Sequence, residues 1–426
     1  MLIFLIFVAL VVMICLNVPI AVALAIAAIL GLVANEGSDA LVSVALDMYD
    51  GSTSFSLIAI PMFVLAGAIM NAGGVTDRLI NFVSAIIGFV RGGLAMVNIG
   101  VSLFFAEISG SAVADVAAMG SILIPQMKKR GYSGPLAAAV TSSSASLAII
   151  IPPSIPMILY ATSANTSVEQ LFVAGIIPGL MGAAGLMIVA YGFAIKYDLP
   201  VEDAFNWKRL RSTFIDALPA FALPVIILGG IFGGFVTATE AAGLAVIAAF
   251  IVGLWYNQID LKHLKRAMLD GGMQTAVVML LVAASVVMGG FLTRAQVPQQ
   301  LAAEILEITS NKWLILLILN FLFLVIGFFL HSAAAIILVV PIVIPLIVAA
   351  GIDPVHFGLV VTLNLAIGQQ TPPVASVLIT ACAVARANIW EVSKVNIYFI
   401  AVLLAVLLIC TYVPSIPLFL VEYFYR

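Results

Sequence analysis

Apolar runs of membrane length recur along the chain, and short polar clusters interrupt them at telling places. The opening MLIFLIFVALVVMICLNVPIAVALAIAAIL lacks the basic flank of a signal peptide and stays apolar too long for one, so it reads as two retained spans, 2–16 and 18–34. A third span covers 56–73. The TDRLINFVSAIIGFV segment that follows is charged at its start and amphipathic, which suits a helix lying along the interface. The run 92–127 carries the polar knot AEISGSAVAD near its middle. Its return arm, counted from Asp115, has only about a dozen residues, roughly 18 Å of helix against a core of about 30 Å. This predicts a re-entrant hairpin with its tip at Ser109-Gly110-Ser111. The next run, 134–162, contains Pro152-Pro153. Proline lacks the backbone donor and clashes with the preceding turn, so this pair predicts a broken helix.

The pattern recurs 220 residues later. Met48-Tyr49-Asp50-Gly51 is answered by Met268-Leu269-Asp270-Gly271, Pro125 by Pro345, Gly131 by Gly351, and Pro152-Pro153 by Pro372-Pro373. Self-similarity at one shift predicts two structural copies, 1–206 and 221–426, joined by a cytoplasmic linker at 207–220. The second copy then holds its own hairpin at about 313–346, with its tip near Leu330-His331-Ser332, and its own broken helix at about 354–386.

Charge sets the sense of the copies. MKKR, 127–130, follows Pro125, whereas IVAA follows Pro345. Lys and Arg prefer cytoplasmic loops. Tracing the chain on this rule places all 17 basic residues inside except Arg294, Lys312 and Arg426, leaves the acidic 35–50 stretch and both termini in the periplasm, and makes the copies inverted. At 64% hydrophobic, 9% charged and mean hydropathy +1.25, the composition excludes a soluble protein. The three cysteines fall in apolar runs without metal or disulfide spacing, and no phosphate loop or hydrolase motif appears. The expected fold is an all-α polytopic membrane protein of two inverted repeats, and not an enzyme.

Broken membrane helices are tolerated only where protein or a cavity satisfies the freed backbone, and paired breaks mark a binding site. Freed carbonyls and hydroxyls suit a hard cation such as sodium. One ion is expected between the first tip (Ser109, Gly110, with Asp115 in the same knot) and the first break, with Ser142 and Ser144 before it. A second is expected between the second hairpin (Gly327 and the 330–332 tip) and the second break (Gly368, Gln370, Thr371). Substrate-facing candidates at the tips are Ser109, Ser111, His331 and Ser332. Half-helix N-termini at the same depth would receive an anion. Each residue has a plainer reading: serines in spans also pack helices closely, a proline pair also makes a simple kink, Asp115 also suits a helix cap, and Glu107 suits a pairing role.

PMFVLAGAIMNAGG (61–74), SGSAVADVAAMGSILIPQMKKRGY (109–132), IPPSIPMILY (151–160) and GQQTPPVA (368–375) resemble the large membrane subunit of tripartite ATP-independent periplasmic (TRAP) transporters, over essentially the whole chain. The resemblance implies a sodium-coupled importer of an organic acid in a bacterial inner membrane, working by an elevator motion. It implies a small four-helix membrane subunit and a periplasmic substrate-binding protein as partners. Sialic acid is the first substrate expectation and C4-dicarboxylates the alternative. Carried over by position, Ser109 and Ser154 become substrate-side hydroxyls. His331 departs from the acidic residue usual at the second tip. The rival readings are a stand-alone sodium/dicarboxylate symporter and a passive pore.

Overall fold

The computed structural model describes residues 2–425 except 17, 202, 203, 259 and 260, with the side chains of 2, 11, 15, 107–109 and 261–263 outside the description. The first half runs α1 (Leu2–Cys15), α2 (Ile20–Glu36), α3 (Leu41–Ser52), α4 (Ala59–Ala72), α5 (Val75–Ile87), α6 (Gly93–Ser109), α7 (Ala112–Lys129), α8 (Gly134–Ala145), α9 (Ile155–Ala164) and α10 (Val168–Lys196). The linker helix α11 (Trp207–Ala217) bends by 55° into α12 (Ala222–Pro224), a π-helical turn at Val225–Gly229 and α13 (Gly230–Phe232). The second half continues with α14 (Ala238–Trp255), α15 (Leu261–Arg294), α16 (Val297–Ile308), α17 (Lys312–Phe329), α18 (Ser332–Ala349), α19 (Pro354–Gly368), α20 (Ser376–Ala385), α21 (Ile389–Tyr412) and α22 (Ser415–Tyr425). Among the described residues no strand forms, and seven helices are long and apolar enough to cross a membrane, or eight if the bent pair counts as one.

Local chemistry sets many of these boundaries. Ser133 caps α8 by accepting from Leu136 N at 3.3 Å, and Asp353 caps α19 by accepting from Val355 N at 2.7 Å. A proline follows each cap in the first helical turn, where its missing donor does no harm. Asn311 and Asn388 cap α17 and α21 in the same way. Gly110 turns the first hairpin at φ 58°, a left-handed conformation that glycine adopts without penalty.

Two differences from the sequence expectation concern lengths. The return arm of the first hairpin starts at Ala112, ahead of Asp115, and runs for 18 residues or about 27 Å. Ala112, Val113 and Ala114 already belong to the helix, so counting from Asp115 leaves out most of its first turn. The acidic 35–50 stretch is largely helical, in α3. The stretch 220 residues after α3 and α4 is the single 34-residue α15.

The helices pack as two groups. α2, α3, α4, α14 and α15 form one. The hairpins α6–α7 and α17–α18, the interrupted helices α8–α9 and α19–α20, and α10 and α21 form the other. The amphipathic helices α5 and α16 touch the hairpins from outside, against α6 and α18 respectively. Basic residues gather at one end of the bundle: Arg78 pairs with Asp216 at 3.4 Å, Arg91 with Asp198 at 3.2 Å, and the Lys128 ammonium donates to Ala385 O at 3.0 Å. At the opposite end Arg294 meets Glu36 at 3.0 Å and Asp47 at 3.5 Å. These partly exposed pairs add little stability, and their sorting by end is the informative feature. The Lys262 side chain and Arg426, part of the same charge count, lie outside the description.

Candidate functional site

Both helix interruptions lie in the centre of the second group. In the first, the 3-10 turn Ser146–Ile149 leads to Pro152-Pro153 and α9 resumes at Ile155. In the second, α19 stops at Gly368 and α20 resumes at Ser376. Both Pro-Pro bonds are cis.

Each hairpin tip reaches the interruption of its own half. Cβ added at Gly110 would stand 3.2 Å from Pro153 O, so the first tip rests directly on the first break. Val374 N donates to Phe328 O at 3.3 Å, and Cβ added at Gly368 would lie 2.6 Å from the Gly327 backbone. The sequence pairing of Gly327 with Gly368 thus corresponds to an approach that leaves no room for a side chain.

The backbone groups released at the breaks find partners. Ile149 O accepts from the Ser154 hydroxyl at 2.7 Å, and the same hydroxyl accepts from Met157 N at 3.4 Å, capping α9. Ser154 is therefore fully buried as a clasp between the two half-helices. At the second break Thr371 N donates to Gly368 O, Val377 N to Gln369 O, and the Asn396 amide to Gln370 O at 3.3 Å. The Thr371 hydroxyl donates to Ile367 O at 3.0 Å, and the Gln370 amide to Ala366 O at 3.3 Å.

Between the two groups lies a central chamber of about 450 Å³. Gly110, Ser111 and Ala112 of the first tip line it, with His331, Ser332 and Ala333 of the second. Ile149, Ile155 and Pro156 of the first break also reach it, as does Gln369 of the second; Val64, Met273, Gln274 and Val277 close the far side. Three helices, α7, α18 and α9, begin on this wall. Helix N-termini carry unsatisfied N–H groups and the positive end of the dipole. Among the described residues that line the chamber, none is an aspartate, glutamate, lysine or arginine.

A vestibule of about 550 Å³ at the basic end shares Val64, Ala114, Ala117 and Gln274 with the chamber, so the two adjoin. Asn71, Arg266 and Asp270 line its outer part, and buried Asp115 lies against its wall. A third space of about 390 Å³ at the opposite end is bounded by Asp47, Ser54, Thr162, Ser285, Arg294 and Pro341. Among the described residues it shares no wall residue with the chamber.

The sequence candidates thus fall into three sets. Gly110, Ser111, His331 and Ser332 meet at the chamber. Gly327, Gly368, Gln370 and Thr371 cluster at the second break. Ser142 and Ser144 are buried in α8 away from the chamber wall. Ser142 donates to Ala139 O, and Ser144 joins a polar network with Asn98, Thr141 and Ser102. The Ser109 hydroxyl, Glu107 and Cys15 lie outside the described residues.

Sequence reasoning missed Asn98, Ser102, Asn320, Asn364 and Asn396. Asn98 donates to Thr141 Oγ1 at 2.7 Å and accepts from Ser144 at 3.1 Å, fastening α6 to α8. Asn364, 220 residues after Ser144, donates to Asn320 Oδ1 at 2.7 Å and fastens α19 to α17. The available signal was an amide alone in an apolar run, as in WLILLILNFLFL.

The family model described as "Tripartite ATP-independent periplasmic transporter, DctM component" matches residues 7–416. The isethionate TRAP transporter permease protein DctMQ of Oleidesulfovibrio alaskensis is 41% identical over 95% of this chain, which spans 64% of that relative's length. The C4-dicarboxylate TRAP transporter large permease DctM of Pseudomonas aeruginosa is 37% identical, covering 89% of both chains. The sialic acid TRAP transporter large permease SiaM of Vibrio cholerae is also 37% identical, covering 88% of both. The YdaH transporter of Alcanivorax borkumensis shares the fold at a TM-score of 0.64 and 15% identity, over 88% of this chain and 89% of that one. A match along nearly the whole sequence, joined to helices built to span a membrane, leaves one assignment: this chain belongs to the DctM family of TRAP transporter permeases.

Proposed function

We propose that this chain is the transport subunit of a sodium-coupled importer of a small organic acid across a bacterial inner membrane. The observation that carries the reading is the central chamber, where both hairpin tips, an interruption from each half and three helix N-termini converge. A wall with N–H dipoles and no carboxylate among its described residues suits an anion. A chamber that adjoins the basic-end vestibule, and shares no described wall residue with the space at the opposite end, then fits a state facing the cytoplasm, since basic residues favour that side.

Under this reading residues 1–206 and 221–426 are inverted repeats, the hairpin group moves as one body against α2–α4 and α14–α15, and both termini face the periplasm. Two sodium sites belong beside the breaks. Gly110 and Asp115 serve the first and Gly368, Gln370 and Thr371 the second, while Ser111, His331 and Ser332 face the substrate. A small four-helix membrane subunit and a periplasmic binding protein complete the assembly. Sialic acid stays within the substrate class together with C4-dicarboxylates, isethionate and 2,3-diketo-L-gulonate, the acids named for relatives.

Uptake into proteoliposomes containing all three components, driven by an inward sodium gradient and offered each of these acids, tests the reading. Accumulation of one acid that collapses without the gradient is expected. Uptake indifferent to sodium overturns the coupling, and uptake of free acid by this chain alone overturns the tripartite assembly.

A further inference from the structure

One polar chain crosses the protein interior between the two halves. The Ser143 hydroxyl on α8 donates to Asn396 Oδ1 on α21 at 2.7 Å, and Asn396 Nδ2 donates to Gln370 O at the second break at 3.3 Å. All three residues have no exposed surface. The next residue on α8, Ser144, is bound to Asn98 and Ser102 of the first hairpin arm.

The position of Gln370 O gives this chain its meaning. In an uninterrupted helix that carbonyl would accept from Val374 N. Here Val374 N donates to Phe328 O of the second hairpin, so Gln370 O is released by the break and held by Asn396. A released carbonyl is the type of ligand a hard cation takes. The residue that aims it is in turn held by α8, the helix leading into the first break.

The arrangement has no counterpart related by the repeat. Position 176 is Ile where Asn396 would have its equivalent, and position 363 is Leu where Ser143 would. Conversely, α10 approaches the first break through Gly175, where a methyl group would collide with Ile150 O, and α21 carries Val395 at the matching place. A duplicated packing contact would appear twice. This bridge appears once, between halves.

We propose that Asn396 is a positioning residue that aims the Gln370 carbonyl and, through Ser143, links the geometry of the second break to that of the first, so that the two sodium sites fill cooperatively. The inference rests on the reading of the breaks as sodium sites. Occupation of the first break shifts α8, Asn396 follows Ser143, and the carbonyl at the second break moves with it.

The test is uptake by the complete transporter in proteoliposomes, titrated with sodium at saturating substrate and with substrate at saturating sodium. Ser143→Ala and Asn396→Ala are each expected to raise half-saturating sodium about fivefold, the loss of one buried hydrogen bond, and to lower the Hill coefficient for sodium. The substrate KM at saturating sodium is expected to stay within about twofold of wild type, which a general loss of packing would not respect. The double variant is expected to be no worse than Asn396→Ala, because both changes cut one chain. Ser143→Ala removes a single oxygen and carries the test if Asn396→Ala does not fold. A sodium titration of Ser143→Ala that overlays wild type, or a change confined to substrate KM, overturns the bridge while leaving the transport reading intact. Wild-type uptake that ignores sodium overturns the transport reading itself.

Discussion

The two interruptions share their prolines, their spacing and their cis bonds, yet they live in different surroundings. Every residue from 141 to 161 is buried, and the first break meets open space through Ile149, Ile155 and Pro156 on the chamber wall. At the second, Val374 is 43% exposed and Thr371 and Pro372 are half-buried. The cause lies in the helix that follows each. α10 presents Gly175 and Gly179, whose missing side chains let it close onto Ile150 and Ile151. α21 presents Val395 and Phe399 at the matching places and reaches the second break through Asn396 instead. One break is clasped from within by Ser154 and covered by glycines, and the other is held by a side chain reaching in from α21. Two breaks that match in sequence thus sit in two unlike environments, and with them stand two unlike candidate ion sites.

Gly175→Val tests that explanation most severely, because it gives the first break the residue found at the second. The added methyls meet Ile150 O, and overpacking of this kind is expected to cost about 1–3 kcal/mol, or more, with uptake lost. A purified variant with wild-type melting temperature and uptake would show that close packing of α10 is not what covers the break. Ser154→Ala should cost somewhat less, about 1–2 kcal/mol, from loss of the cap on α9 and of the bond to Ile149 O. Its positional equivalent Val374→Ala, at an exposed site, should fall within about 0.5 kcal/mol of wild type. Equal losses in the two variants would erase the contrast. Accessibility offers a gentler probe: in a Cys15→Ser background, where the native Cys382 and Cys410 are buried, a cysteine at Val374 should react with a maleimide in the folded protein, whereas one at Ser154 should not. The smallest change is expected for Thr371→Val, which removes a hydroxyl bonded to Ile367 O at the open break. It should raise half-saturating sodium in uptake assays by about two- to fivefold, and an unchanged sodium curve would remove Thr371 from the ligand set.

Much of this was legible before any coordinates. Proline pairs, glycine turns and membrane-length apolar runs act locally, so the hairpin tips at Gly110 and His331 and the breaks at Pro152-Pro153 and Pro372-Pro373 stand out in the sequence. Partnership did not stand out. Ser144 and Ser154 look alike as hydroxyls near a break, but one is drawn into a network with Asn98 and Ser102 and the other clasps two half-helices. The helix start ahead of Asp115 was hidden because Ala112, Val113 and Ala114 lie between polar Ser111 and Asp115, so the whole stretch reads as one polar knot. The asymmetry of the breaks was hidden for a similar reason. It depends on Gly175 and Val395, apolar residues whose spacing carries no signal until the helices they face are known.

The uninterrupted α15 has a consequence for how cargo is handled. Its residues face the basic-end vestibule at Arg266 and Asp270, the chamber at Met273 and Val277, and the far space at Ser285 and Arg294. A single rod of about 51 Å therefore indexes all three compartments, with its stages set 1.5 Å apart per residue. Insertion of a single residue within it would rotate every later stage by about 100° relative to the earlier ones. The order of the compartments is written into the pitch of one helix, so α15 fixes the spacing between them.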